Sequence, residues 1–244
     1  MKKLYFNFYD DIRQRQVPVA LYFPVQTLDV LQTVIFNPGY QSQNDLKQKE
    51  AIHKRYTFLA EYFTSKGYAF ITIQNDLIGD IDGLETIDPD APQDEARRYL
   101  YIRGEANILF VVDRLKKENL SLNLDQFILS GHSNGGDIAK YFVNNNPSFV
   151  TKLILFDSRR AKLRSQAKLQ VLMFEADDTM TDSGVIPEPM QKNNSMRSNL
   201  DLVIIKLSGA LHVSYVDDYI TDELKVRVLA CLNWFLENDD SIFK

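Results

Sequence analysis

The stretch Gly131-His132-Ser133-Asn134-Gly135-Gly136 constrains the fold of this chain more than any other. It reads G-x-S-x-G. The apolar run before it, residues 125–130, has the length and character of a buried strand. Residues 137–143 after it, with Ile138, Ala139, Phe142 and Val143, have helical spacing. A serine between a strand and a helix must occupy a sharp, strained turn. Gly131 and Gly135 lack a Cβ, so strand and helix can approach closely around it. Such a turn presents a hydroxyl at the carboxyl end of a strand, the position of a nucleophile elbow.

The rest of the chain supplies alternating strands and helices. Residues 4–9 and 17–23 are aromatic and β-branched runs joined at Asp10-Asp11, which predicts an N-terminal antiparallel pair. Residues 33–37 form a short apolar strand that ends in the turn signal Asn37-Pro38-Gly39-Tyr40. A helix is expected over 56–66, with Leu59, Tyr62 and Phe63 on one face and Gly67 as its stop. A strand follows over 68–73. The next helix, over 96–118, carries an apolar stripe of Ile108, Leu109, Val111, Val112 and Leu115. Further strands are expected over 153–157, 169–174 and 202–207. A closing helix over 219–237 is expected to pack through Val226, Leu229, Trp234 and Phe235, with Cys231 in the core. Strands alternating with helices predict an α/β fold with a mostly parallel sheet covered on both faces. With 244 residues, 45% hydrophobic, and neither repeat nor linker, a single domain over 1–244 is the simplest organisation.

Charge and composition exclude several classes. The net charge of −5 offers no basic surface for nucleic acid. A single cysteine rules out an intrachain disulfide. No segment approaches the ~18 apolar residues of a membrane span. The start of the chain turns polar too early for a secretion signal, so a cytoplasmic location is expected. Between Asp76 and Glu95 there are eight acids and no Lys or Arg. Asp80-Ile81-Asp82-Gly83 faintly resembles a calcium loop but lacks the full ligand spacing. This 74–95 stretch reads as a solvated loop that could cover a pocket, and no metal or cofactor is expected.

In an open parallel sheet, sites form beyond the carboxyl ends of strands. Ser133 follows the strand at 125–130. Glu175-Ala176-Asp177-Asp178 follows 169–174, and Ser208-Gly209-Ala210-Leu211-His212 follows 202–207. The order serine, acid, histidine suits nucleophilic catalysis, because a serine hydroxyl needs a base and the base needs an acid to orient it. Of three histidines, His132 should point into the packing around the elbow, and His53 reads as solvated surface. His212 is left as the base. Asp178 is the favoured acid, with Asp177 and Asp157 as alternatives. An oxyanion would need two backbone N–H groups. Asn134, at a helix N-terminus, is one candidate. Pro38 has no N–H, which makes Tyr40 the other.

These residues resemble an α/β-hydrolase, nearest to dienelactone hydrolase-like and platelet-activating-factor acetylhydrolase-like esterases, over nearly the whole chain. Residues 11–24 are similar to the N-terminal hairpin of that family. Phe36-Asn37-Pro38-Gly39-Tyr40 stands where the family carries a His-Gly turn, with Pro38 in place of the histidine. The resemblance implies Ser133, Asp178 and His212 as triad, and Tyr40 and Asn134 as oxyanion donors; the chemistry expected of them is hydrolysis of a small-molecule carboxylic ester without a cofactor. Acyl transfer, thioester or amide cleavage, and ligand binding without turnover are the alternatives on the same fold. The sequence carries no sign of oligomeric state.

Overall fold

The computed structural model describes residues 1–25, 30–164, 169–185 and 200–237. Its strands are β1 (Lys2–Asp10), β2 (Arg15–Phe23), β3 (Thr33–Asn37), β4 (Ala69–Ile73), β5 (Phe127–His132), β6 (Val150–Phe156), β7 (Leu169–Glu175) and β8 (Leu200–Lys206). They make one sheet in the order β1-β2-β4-β3-β5-β6-β7-β8. β2 runs antiparallel to β1 and to β4, and every later pair is parallel. The β1–β2 turn is held by Asp10, whose Oδ1 accepts from the amides of Ile12 at 3.0 Å and Arg13 at 3.1 Å.

The helices are α1 (Gln43–Gln48), α2 (Thr57–Ser65), α3 (Gln93–Ala96), α4 (Arg98–Lys117), α5 (Asn134–Asn145) and α6 (Asp222–Glu237). Side chains alternate across a strand, so each central strand feeds two cores. Ile35, Leu153 and Leu155 join α4 and α5 through Ile108, Val111, Ile138 and Phe142. Val34, Phe36, Ile154 and Phe156 join α2 and α6 through Leu59, Phe63, Val228 and Leu232. Continuous apolar strands such as β3 are the signature of a sheet buried on both faces.

The buried face of α6 differs from expectation. It is Leu224, Val228, Leu232 and Phe235 that are buried, a stripe at helical spacing. Val226 is 68% exposed and Trp234 42% exposed, because both lie off that stripe. Leu109 likewise faces outward on α4. Cys231 is half-buried at the edge of the second core. Among the described residues, no helix is long and apolar enough to cross a membrane.

Candidate active site

The parallel register brings the carboxyl ends of the central strands level. Asn37 pairs with Gly131, His132 with Phe156, and Phe156 with Phe174. One residue beyond β5 stands Ser133, and one residue beyond β6 stands Asp157. The Ser133 amide donates to Phe156 O at 2.9 Å, and the Asp157 amide to Phe174 O at 2.8 Å. Ser133 has φ 54° and ψ −126°, a strained geometry for a side chain with a Cβ. Close packing imposes it. A Cβ on Gly135 would lie 1.9 Å from Asn37 O, and one on Gly131 would lie 2.3 Å from Gly135 O. Both positions therefore admit only glycine.

Ser133 Oγ lies 2.8 Å from His212 Nε2. His212 opens a short 3-10 turn, His212–Tyr215, after β8. Its Nδ1 faces the carboxylate of Asp157, in a close contact with Oδ2. Asp157 is fully buried, and its other oxygen accepts from the Ala176 amide at 3.0 Å and from the Thr179 hydroxyl. Burial alone would push its carboxyl up. The hydrogen bonds from His212, Thr179 and Ala176 outweigh that and hold it down at about 2.

Asp178 does not reach the imidazole ring. Its Oδ1 accepts from the His212 backbone amide at 2.7 Å. Asp177 serves the same loop: its Oδ2 accepts from the Gly209 amide at 2.6 Å, and its own amide donates to Ala210 O at 2.8 Å. The favoured acid of the sequence reading thus holds the backbone of the histidine loop, and Asp157 holds the ring. The cause is geometric. Asp157 sits at the strand end beside Ser133, whereas Asp178 lies three residues past the end of β7.

The turn after β3 lies against the serine, and a Cβ on Gly39 would stand 3.4 Å from Ser133 Cβ. Its amides can be counted. Pro38 has none, Gly39 N–H donates to the Tyr56 hydroxyl at 3.2 Å, and Gln41 N–H to Asp76 Oδ2 at 3.2 Å. That leaves the N–H of Tyr40 without an acceptor among the described residues. The N–H of Asn134, first in α5, is likewise free there, at the positive end of the helix dipole. The Tyr40 hydroxyl donates to Glu85 of the 74–95 stretch.

Two further expectations change. The start of the acidic stretch is not simply solvated. It folds around Arg103 of α4, whose guanidinium meets Asp76 at 2.9 Å, Asp82 at 2.6 Å and Asp80 at 3.6 Å. A cation lies where the sequence suggested a calcium loop. Among the described residues, no group of three or more His, Cys, Asp or Glu could hold a metal. His53 is buried rather than solvated, with Nδ1 2.9 Å from Gln74 Oε1, and burial lowers it to about 4. Its setting among polar residues in the sequence hid the fact that Gln74 reaches it from the end of β4.

Solved structures share this fold. One of two esterases from the fungus Rhizomucor miehei superposes with a TM-score of 0.61 at 9% identity, over 96% of this chain and 82% of that one. Dienelactone hydrolase from Anabaena variabilis gives 0.56 at 14% identity, over 97% and 98%. The chain has the α/β-hydrolase fold. A candidate dipeptidyl aminopeptidase IV from Bacteroides ovatus gives 0.64 at 14% identity. The match covers 98% of this chain but 36% of that one, so this chain spans about a third of its length. No family model matches the chain, and no curated protein sequence matches it. At these identities the likeness is one of α/β-hydrolase fold, and chemistry rests on the residues around Ser133.

Proposed function

We propose that the chain is a serine hydrolase that cleaves a small-molecule carboxylic ester through an acyl-enzyme. The observation that carries this reading is the hydrogen-bonded sequence of Ser133 Oγ, the His212 ring and the buried Asp157 carboxylate, beside two free amides. Ser133 attacks the ester carbonyl as His212 Nε2 takes its proton. The anionic Asp157 accepts from Nδ1–H and stabilises the imidazolium. The N–H groups of Tyr40 and Asn134 receive the developing oxyanion. His212 then returns the proton to the departing alcohol. Water, deprotonated by the same imidazole, attacks the acyl-serine and frees the acid. No step requires a cofactor. The same reading keeps one catalytic domain acting in the cytoplasm.

Short and medium p-nitrophenyl esters test this. The wild-type chain should hydrolyse them and be labelled by a fluorophosphonate probe, and Ser133→Ala should lose both. Labelling of Ser133→Ala at the wild-type rate would remove the serine from its assigned role. Labelling of the wild type without ester turnover would point to an acyl acceptor other than water. A folded wild type with neither property would favour ligand binding without turnover.

A further inference from the structure

His132 and Tyr56 are buried polar residues that the proposed chemistry does not use. Their hydrogen bonds link the two loops on which that chemistry depends. His132 Nε2 lies 2.8 Å from the backbone carbonyl of His212, and Nδ1 lies 2.8 Å from the Tyr56 hydroxyl. The same hydroxyl receives the Gly39 N–H at 3.2 Å. Each direction is dictated by its neighbour. A carbonyl oxygen only accepts, so Nε2 must carry the ring proton. A neutral imidazole then accepts at Nδ1, and the phenol O–H must donate there. The phenol oxygen is left to accept from Gly39.

We infer that His132 and Tyr56 are positioning residues, a hydrogen-bonded strut that fixes the His212 loop relative to the turn bearing the Tyr40 amide. The inference rests on the hydrolase reading above. His132 directly precedes Ser133, so the strut runs through the nucleophile's own backbone. It also explains why Tyr40 supplies the free amide, since Tyr56 occupies that of Gly39. Tyr56 is itself well anchored. Its ring packs on Phe36 at 4.5 Å between centroids. The first amides of α2, just beyond it, donate to Asp217 at 2.7 and 3.1 Å. Burial lowers His132 to about 3, so the neutral ring that the strut needs persists over the whole range in which an esterase is assayed. Dipoles aligned head to tail in a buried chain reinforce one another, whereas a break strands polar groups away from water.

Tyr56→Phe keeps the ring and removes the link. With p-nitrophenyl butyrate, kcat should fall by about ten- to a hundredfold with KM little changed, because an oxyanion donor acts in the transition state. The rate of fluorophosphonate labelling should fall in parallel, at temperatures well below the thermal midpoint. At the second position, His132→Gln keeps one acceptor and one donor, and His132→Leu has neither. Gln should retain at least tenfold more kcat than Leu. A Tyr56→Phe variant with wild-type kcat, or equal losses in Gln and Leu, would overturn the strut. A well-folded wild type that is neither labelled nor active would overturn the hydrolase reading, and the strut's catalytic role with it. The wild-type arm therefore separates the two failures.

Discussion

At the scale of single residues, the site divides one histidine between two carboxylates. Asp157 takes the ring and Asp178 the backbone amide. The two contacts predict different losses. Asp157→Asn removes the charge that stabilises the imidazolium and can hold the wrong tautomer, so kcat should fall by roughly 10³–10⁴-fold. Asp178→Asn keeps an oxygen able to accept from the His212 amide, and its kcat should stay within about tenfold of wild type. Steady-state kinetics of the two variants check this, and the reverse ranking would return the acid to Asp178. The sequence singled out Ser133 and His212, which the structure brings within 2.8 Å of each other, because each follows a strand in a run of small residues. The carboxylate at the ring, Asp157, was there only an alternative to Asp178. Its identity depends on which strand lies beside β5 and how far each runs, a lateral order that a linear reading does not contain.

At the scale of elements, α5 holds more than the serine at its N-terminus. Asp137 Oδ1 accepts from the Ser158 hydroxyl at 2.8 Å and from the amides of Arg160 at 3.0 Å and Ala161 at 2.9 Å. Lys140, one turn on, is 1% exposed and donates to Ala161 O at 3.0 Å. Burial lowers its ammonium to about 8, with Asp137 opposing from 3.9 Å. One helix thus grips the loop that follows Asp157. Lys140→Met would remove the cation beside the buried Asp137 and leave Ala161 O without its donor. It should lower unfolding free energy by about 3 kcal/mol in urea titrations, and kcat should drop as the loop loosens. An unchanged urea midpoint would show that the pair carries no stability. The long elements were readable from their apolar periodicity. α1 and α3 were not, since one or two turns carry no stripe, and the Ser42 side chain that caps α1 at 3.1 Å is a weak signal alone. On α6, Val226 and Trp234 misled because a helix buries a direction in space, not its most apolar side chains.

At the scale of the whole molecule, buried titratable groups set the response to acid. His132 and His53 are lowered by burial to about 3 and about 4, against ~6.5 in an unfolded chain. As pH falls below 6.5, the unfolded chain binds two protons that the native state refuses, so stability drops. Asp76 acts oppositely. Burial, outweighing Arg103 and the Gln41 amide, raises it to about 6, against ~3.9 unfolded. Between pH 6 and 4 the native state therefore holds one proton more at that site. Over these three groups the net difference is one proton, and their joint contribution to stability should fall by about 1.4 kcal/mol per unit as pH drops through that window. Asp76→Asn removes the opposing proton and should steepen the slope by about 1.4 kcal/mol per unit. Urea midpoints at pH 6, 5 and 4 measure both slopes, and equal slopes would exclude Asp76 from the acid response. The α/β architecture itself was legible in the sequence, since alternating elements leave a parallel sheet few arrangements. The acidic stretch was not, because Arg103 lies outside it on α4. The shared histidine also bears on descent. If the hydrolase reading holds, a histidine touched by carboxylates from two neighbouring strand ends gives a lineage a short route for shifting the acid from one strand to the other.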